Sequence, residues 1–135
     1  MREILFRVKR LDNGEWVYGN FCMDALEQTR GLCGLDGFIR RYNTDTKRME
    51  MYEVDRETVG QYTGLVDKNG RRIFEGDIVK SIETKETGVV QFFPEHSAFM
   101  VWCKFSNEVG FLYECTSIAE VIGNIHDNPE LLEDA

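Results

Sequence analysis

Several things are scarce in this 135-residue chain, and each scarcity excludes a class of function. There are two prolines, two histidines and four cysteines, and no uninterrupted apolar run long enough to span a bilayer. Cys22, Cys33, Cys103 and Cys115 form no C-x-x-C pair, and their spacings fit neither zinc ribbons nor zinc fingers. Reduced thiols are therefore expected, with no disulfide and no zinc. The opening residues 1–10 alternate charged with apolar side chains, so neither secretion nor membrane insertion is expected, and the expected location is cytoplasmic. His96 and His126 sit in no motif with a nucleophilic Ser or Cys, and neither H-E-x-x-H nor G-x-S-x-G occurs. Gly31, Gly34 and Gly37 are spaced G-x-x-G-x-x-G without the strand–helix frame or following Lys-Ser or Lys-Thr of a nucleotide-binding loop. These residues point to no enzyme, no cofactor, and no catalytic or metal-binding set.

Positive charge is scarce too, and unevenly so. The net charge is −8. Residues 1–58 are close to balanced, at −1, whereas residues 59–135 carry −7. From Glu108 onward there are seven acids and no Lys or Arg. Long-range repulsion makes nucleic acid an unexpected partner for that part. Lys68, Arg71 and Arg72 cluster in one short stretch, and Arg40, Arg41, Lys47 and Arg48 in another. A solvated surface accounts for both more simply than a phosphate site.

What the chain has in quantity is turns between β-type apolar pairs. Tyr62 to Lys80 reads YTGLVDKNGRRIFEGDIVK. Asn69-Gly70 suits a two-residue hairpin turn with positive φ at both positions, and Gly76-Asp77 turns the ribbon again into a third strand. Asp67 and Asp77 are short polar side chains placed to accept bonds from turn amides. A metal held by Asp67, Glu75 and Asp77 is the less economical reading.

Elsewhere, Ile4, Phe6 and Val8 alternate with polar residues. Asp12-Asn13-Gly14 is a turn, and Trp16 and Tyr18 are expected to return on the face of Val8. Phe38–Tyr42 and Lys47–Val54 form a second hairpin. Residues 24–37 have no firm assignment beyond a possible short helix capped by Asp24 and a glycine-rich loop. Residues 55–60 read as a linker or single helical turn, which divides the chain into 1–58 and 59–135. Gly88–Phe93 and Ala98–Phe105 are strands apolar on both faces. Val90, Phe92, Met100 and Trp102 are assigned to one face; Val89, Phe93, Phe99, Val101, Cys103 and Phe105 to the other. One-sided burial would produce alternation instead. Phe92, Met100 and Trp102 are therefore candidates for an interaction surface. Ala119–Ile125 is a last strand, and Asn128-Pro129 starts a short helix as N-cap and first helical residue. The expected fold is mainly β: an N-terminal β-hairpin module, a C-terminal small barrel of SH3 type, and a short C-terminal helix.

Two blocks carry a resemblance to a known family. They are ETVGQYTGLVDKNGRRIFEGDIVK at residues 57–80 and EVIGNIHDNPELLE at 120–133. The chain resembles the YopX family of small proteins of bacteriophages and prophages, and REILFRV at residues 2–8 is similar to its opening strand. The resemblance implies a mainly-β fold with an SH3-like barrel in the C-terminal part, and self-association. It brings no catalytic residue. Its motif positions Gly64, Asp67, Asn69, Gly70, Gly76 and Asp77 already read as turn formers. The expected function is non-enzymatic: interaction with a phage or host protein, or self-assembly into a homo-oligomer. The alternatives are a nucleic-acid-associated protein and an acidic inhibitor of a host nucleic-acid-binding factor. Sequence alone names neither the partner, the oligomer number nor the stage of infection.

Overall fold

The computed structural model describes residues 5–22, 38–103 and 108–132. Among the described residues it is mainly β, with two antiparallel sheets, of which the second does not close into a barrel. The chain divides into two compact units, 1–61 and 62–135.

In the first unit, β1 (Phe6–Arg10) pairs with β2 (Trp16–Cys22). β2 continues onto β3 (Phe38–Asn43), and β3 onto β4 (Arg48–Val66). β4 divides its pairing. Residues 48–53 bond β3, and a later stretch returns to β1, with Val54 opposite Arg10 and Gln61 opposite Phe6. The expected linker at 55–60 is thus strand, interrupted by a bulge where Arg7 and Lys9 face Gly60 and Asp55. The bulge explains the misleading signal. Asp55 Oδ1 accepts the Glu57 N–H, Thr58 Oγ1 donates to the Asp55 carbonyl, and Thr58 Oγ1 accepts the Lys9 N–H. This local bonding is what a helical turn would use, yet the strand resumes after it.

The first hairpin corrects a face assignment. Its turn is one residue longer than expected, since Leu11 belongs to it and its N–H bonds the Glu53 carbonyl. Val8 therefore faces Val17, and these two form the unit's core with Val54. Trp16 and Tyr18 fall on the opposite face beside Lys9 and Arg7. There the Arg7 guanidinium lies 4.7 Å and the Lys9 ammonium 5.4 Å from the Trp16 ring centre. Both distances are in the range of cation–π attraction.

In the second unit the last residues of β4 pair with β5 (Arg72–Phe74). A five-stranded sheet follows: β6 (Asp77–Ser81), β7 (Thr87–Phe93), β8 (Ala98–Cys103), β9 (Glu108–Phe111) and β10 (Ala119–Asn124), ordered β10-β6-β7-β8-β9. A helical turn, α1 (Leu112–Cys115), links β9 to β10. A four-strand meander whose fifth strand returns to the first is SH3-like connectivity. Because among the described residues β9 and β10 do not pair with each other, the expected barrel is an open sheet. Its core is Ile73, Val79, Val90, Val101, Leu112, Ala119 and Val121. The terminal helix is a 3-10 turn, Pro129–Leu132, packed against β7. Asn128 precedes it as expected, but its Oδ1 accepts the Asn124 N–H behind it. β9 and α1 went unrecognised because four-residue elements offer too few positions to show a period. Residues 23–37, with Asp24, Cys33 and the three spaced glycines, lie outside the described residues, as does Phe105.

Candidate interaction surface

The six turn residues divide between geometry and bonding. Gly64, Gly70 and Gly76 have φ of +87°, +82° and +91°, a region that a side chain disfavours. Asn69 does not share it, so the tip is not the expected two-residue turn. It is a wider loop in which the Gly70 N–H bonds the Asp67 carbonyl and the Asp67 N–H bonds the Arg71 carbonyl. This is a type I turn followed by a left-handed glycine, the usual three-residue alternative.

Asp67 organises the loop and ties it to the sheet. It is buried, at 5% exposure. Its Oδ1 accepts the N–H of Asn69 and of Arg71, both at 2.9 Å, and its Oδ2 accepts the Val121 N–H at 3.0 Å. The Lys68 N–H adds a bond to the Ala119 carbonyl. Burial pushes the carboxyl pKa upward. The backbone donors of Val121, Arg71 and Asn69 and the nearby Arg71 charge outweigh it, and the pKa is lowered.

Asp77 has the corresponding role at the next turn. It is 2% exposed, and its Oδ2 accepts the Phe74 N–H at 2.8 Å. Gly76, between them, donates to the Val90 carbonyl and accepts from the Ile125 N–H. Among the described residues no three His, Cys, Asp or Glu side chains are grouped to hold a metal. Cys22, Cys33 and Cys103 have no described side chain; Cys115 is free, and burial raises its thiol pKa.

The β7–β8 hairpin corrects the second face assignment. Phe93 opposes Ala98 across the four-residue turn, so Val90 faces Val101 and Phe92 faces Phe99. Met100 opposes Gln91, and Trp102 opposes Val89, on the other face. Phe92, Met100 and Trp102 thus do not form one patch. Met100 is 3% exposed and belongs to the interior; Trp102 is half-buried; Phe92 is 43% exposed. Phe92 lies on the same face as Val90 and Val101 but nearer the hairpin tip, its ring 5.3 Å from that of Phe99. An aromatic series that the sequence reading missed runs from His96 through Phe111 to Tyr113, at 5.8 and 5.5 Å between ring centres. Tyr113 is the most exposed large apolar-bodied residue described, at 63%.

Residues of β6 to β10, α1 and the β6–β7 turn line a half-open, mainly apolar cavity of about 260 Å³. Lys68, Arg71 and Arg72 are exposed at the β4–β5 loop, with Arg72 over the Tyr62 ring at 5.4 Å.

These features define a mainly-β protein whose signature residues build turns and which exposes large apolar side chains on both units, Met49 and Met51 on the first and Phe92, Val109 and Tyr113 on the second. Residues 5–133 match the YopX protein family, and the chain belongs to it. The chain is also similar to protein EF1440 from Enterococcus faecalis, known from a crystal structure. The two are 23% identical, the match covers 98% of this chain and 100% of that one, and the TM-score is 0.56. At that identity the likeness supports the fold alone. No curated protein matches significantly.

Proposed function

We propose that this protein acts without catalysis, by binding other protein chains including copies of itself, in the bacterial cytoplasm as part of a phage or prophage programme. The observation that carries this reading is Phe92. A phenylalanine 43% exposed on the core-facing side of a hairpin leaves apolar area in water that a second chain would cover. Covering the part still exposed would contribute on the order of 1 kcal/mol. Val109 and Tyr113, on β9 and α1, add exposed apolar surface, and among the described residues β9 is an edge strand of its sheet.

Light scattering at micromolar concentration tests this. An oligomeric mass that falls in Phe92→Lys supports it. A 15.7 kDa monomer overturns the self-association. A second reading has its own support in the acids from Glu108 onward: an inhibitor that imitates nucleic acid before a host factor. Specific capture of a host nucleic-acid-binding protein, with no gel shift of DNA at low salt, would favour it.

A further inference from the structure

The cavity of the second unit has a feature that core packing does not need. Its floor is Val79, Val101 and Ala119, all buried members of the core. Gly88, buried, and Gly110, exposed, also line it. A Cβ built on Gly110 would meet no atom within 4 Å, and the backbone there has no positive φ. Alanine or a larger residue would fit at Gly110, and its absence leaves the space open. The space is half-open, so water reaches it, and its apolar lining is left in contact with that water. An apolar cavity of roughly 150 Å³ already admits benzene. This one, at about 260 Å³, takes a single ring with a short chain. The one charged residue in its lining is Glu86, half-buried where β7 begins.

We propose that this cavity binds an organic ammonium group: an apolar ring or branched chain seated on Val79, Val101 and Ala119, with its cation against the Glu86 carboxylate. Pairing with a carboxylate beside a low-dielectric wall favours a cation over a neutral group of the same shape and disfavours an anion. The acidic balance of residues 59–135 adds to that preference. The inference does not depend on self-association. The same chemistry is offered by a free arylalkylamine and by an aromatic side chain next to a Lys or Arg on a partner chain.

The test is amide-resolved NMR titration of the whole protein with 2-phenylethylamine, 2-phenylethanol and 3-phenylpropionate. For ligands of this size a dissociation constant on the order of 1 mM is expected for the amine. The alcohol should bind several-fold more weakly and the carboxylate more weakly still, with shifts at Gly88, Gly110 and Ala119. Glu86→Gln should remove the difference between amine and alcohol. Gly110→Val should abolish binding of all three at unchanged melting temperature, and Gly110→Ala, the milder filling, should weaken it. The tetrapeptide acetyl-Ala-Phe-Lys-Ala-amide separates the two sources. It binds more tightly than the free amine if the cavity receives a chain, and less tightly if it receives a small molecule. Equal binding of the three probes, shifts away from the lining, or no shifts at about ten times the expected constant would overturn the proposal.

Discussion

Asp67 accepts a hydrogen bond from the backbone N–H of Val121 at 3.0 Å, although the two are 54 positions apart. One carboxylate both shapes the β4–β5 loop and ties it to β10. Replacing it removes three backbone partners from a buried site. Asp67→Ala should cost roughly 2–3 kcal/mol, because the buried Val121 N–H is left without its acceptor while the partly buried Asn69 and Arg71 N–H groups can turn to water. Asp67→Asn should cost less, since one oxygen remains. Urea unfolding midpoints measure both.

The same carboxylate makes stability depend on acid. Its pKa is lowered in the folded state, so below neutrality the unfolded chain binds the proton first and stability rises with pH. Its contribution should be fully present above the ordinary carboxylate value, near 4, and be lost as pH falls through the lower folded value. Unfolding free energies measured between about pH 6 and 2 should fall less steeply for Asp67→Asn than for the native chain.

Gly123 faces Asn128 closely. A Cβ on Gly123 would lie 2.5 Å from Asn128 Oδ1 and 2.8 Å from its Cγ. That oxygen accepts the Asn124 N–H, so Asn128 cannot swing away without losing a bond. Gly123→Ala should therefore destabilise by about 1–3 kcal/mol. Combined with Asn128→Ala, the loss should be smaller than the sum of the two single changes, because the two closest atoms are gone and only the Asn128 Cβ, at 3.0 Å, remains. Thermal melts of the four proteins report the coupling.

Gly70 separates strain from space. Nothing lies within 4 Å of a Cβ there, yet φ is +82°. Gly70→Ala should cost about 1–2 kcal/mol from backbone conformation alone, and Gly70→Asn distinctly less. Equal losses in denaturant unfolding would assign the cost to contacts instead.

Phe92 and Met100 should respond oppositely to charge. Met100→Lys places an ammonium in the interior and should unfold the protein or cost more than about 3 kcal/mol. Phe92→Lys should keep the native circular dichroism spectrum while lowering the oligomer mass, its melting temperature falling modestly and losing its dependence on protein concentration. A loss of fold in both would place Phe92 in the core.

Local chemistry determined much of this protein in advance. Asn and Asp beside glycine marked the loop at 67–71 and the turn at 75–76, because few residues tolerate the φ that turns require. Alternation marked β1, runs of β-branched and aromatic residues marked β6, β7, β8 and β10, and the two signature blocks marked the family. The tertiary structure decided which side chains share a face. In both the β1–β2 and β7–β8 hairpins, four residues lie between the last paired positions, so residues of opposite parity stand opposite each other. A one-residue difference in where a turn begins exchanges the two faces of a strand. That shift puts Val17 rather than Trp16 in the first core, and Phe99 rather than Met100 beside Phe92. Likewise, Asp67 could be read locally as a turn former. Its bond to Val121 exists only because β10 returns alongside, a long-range event that no local spacing encodes.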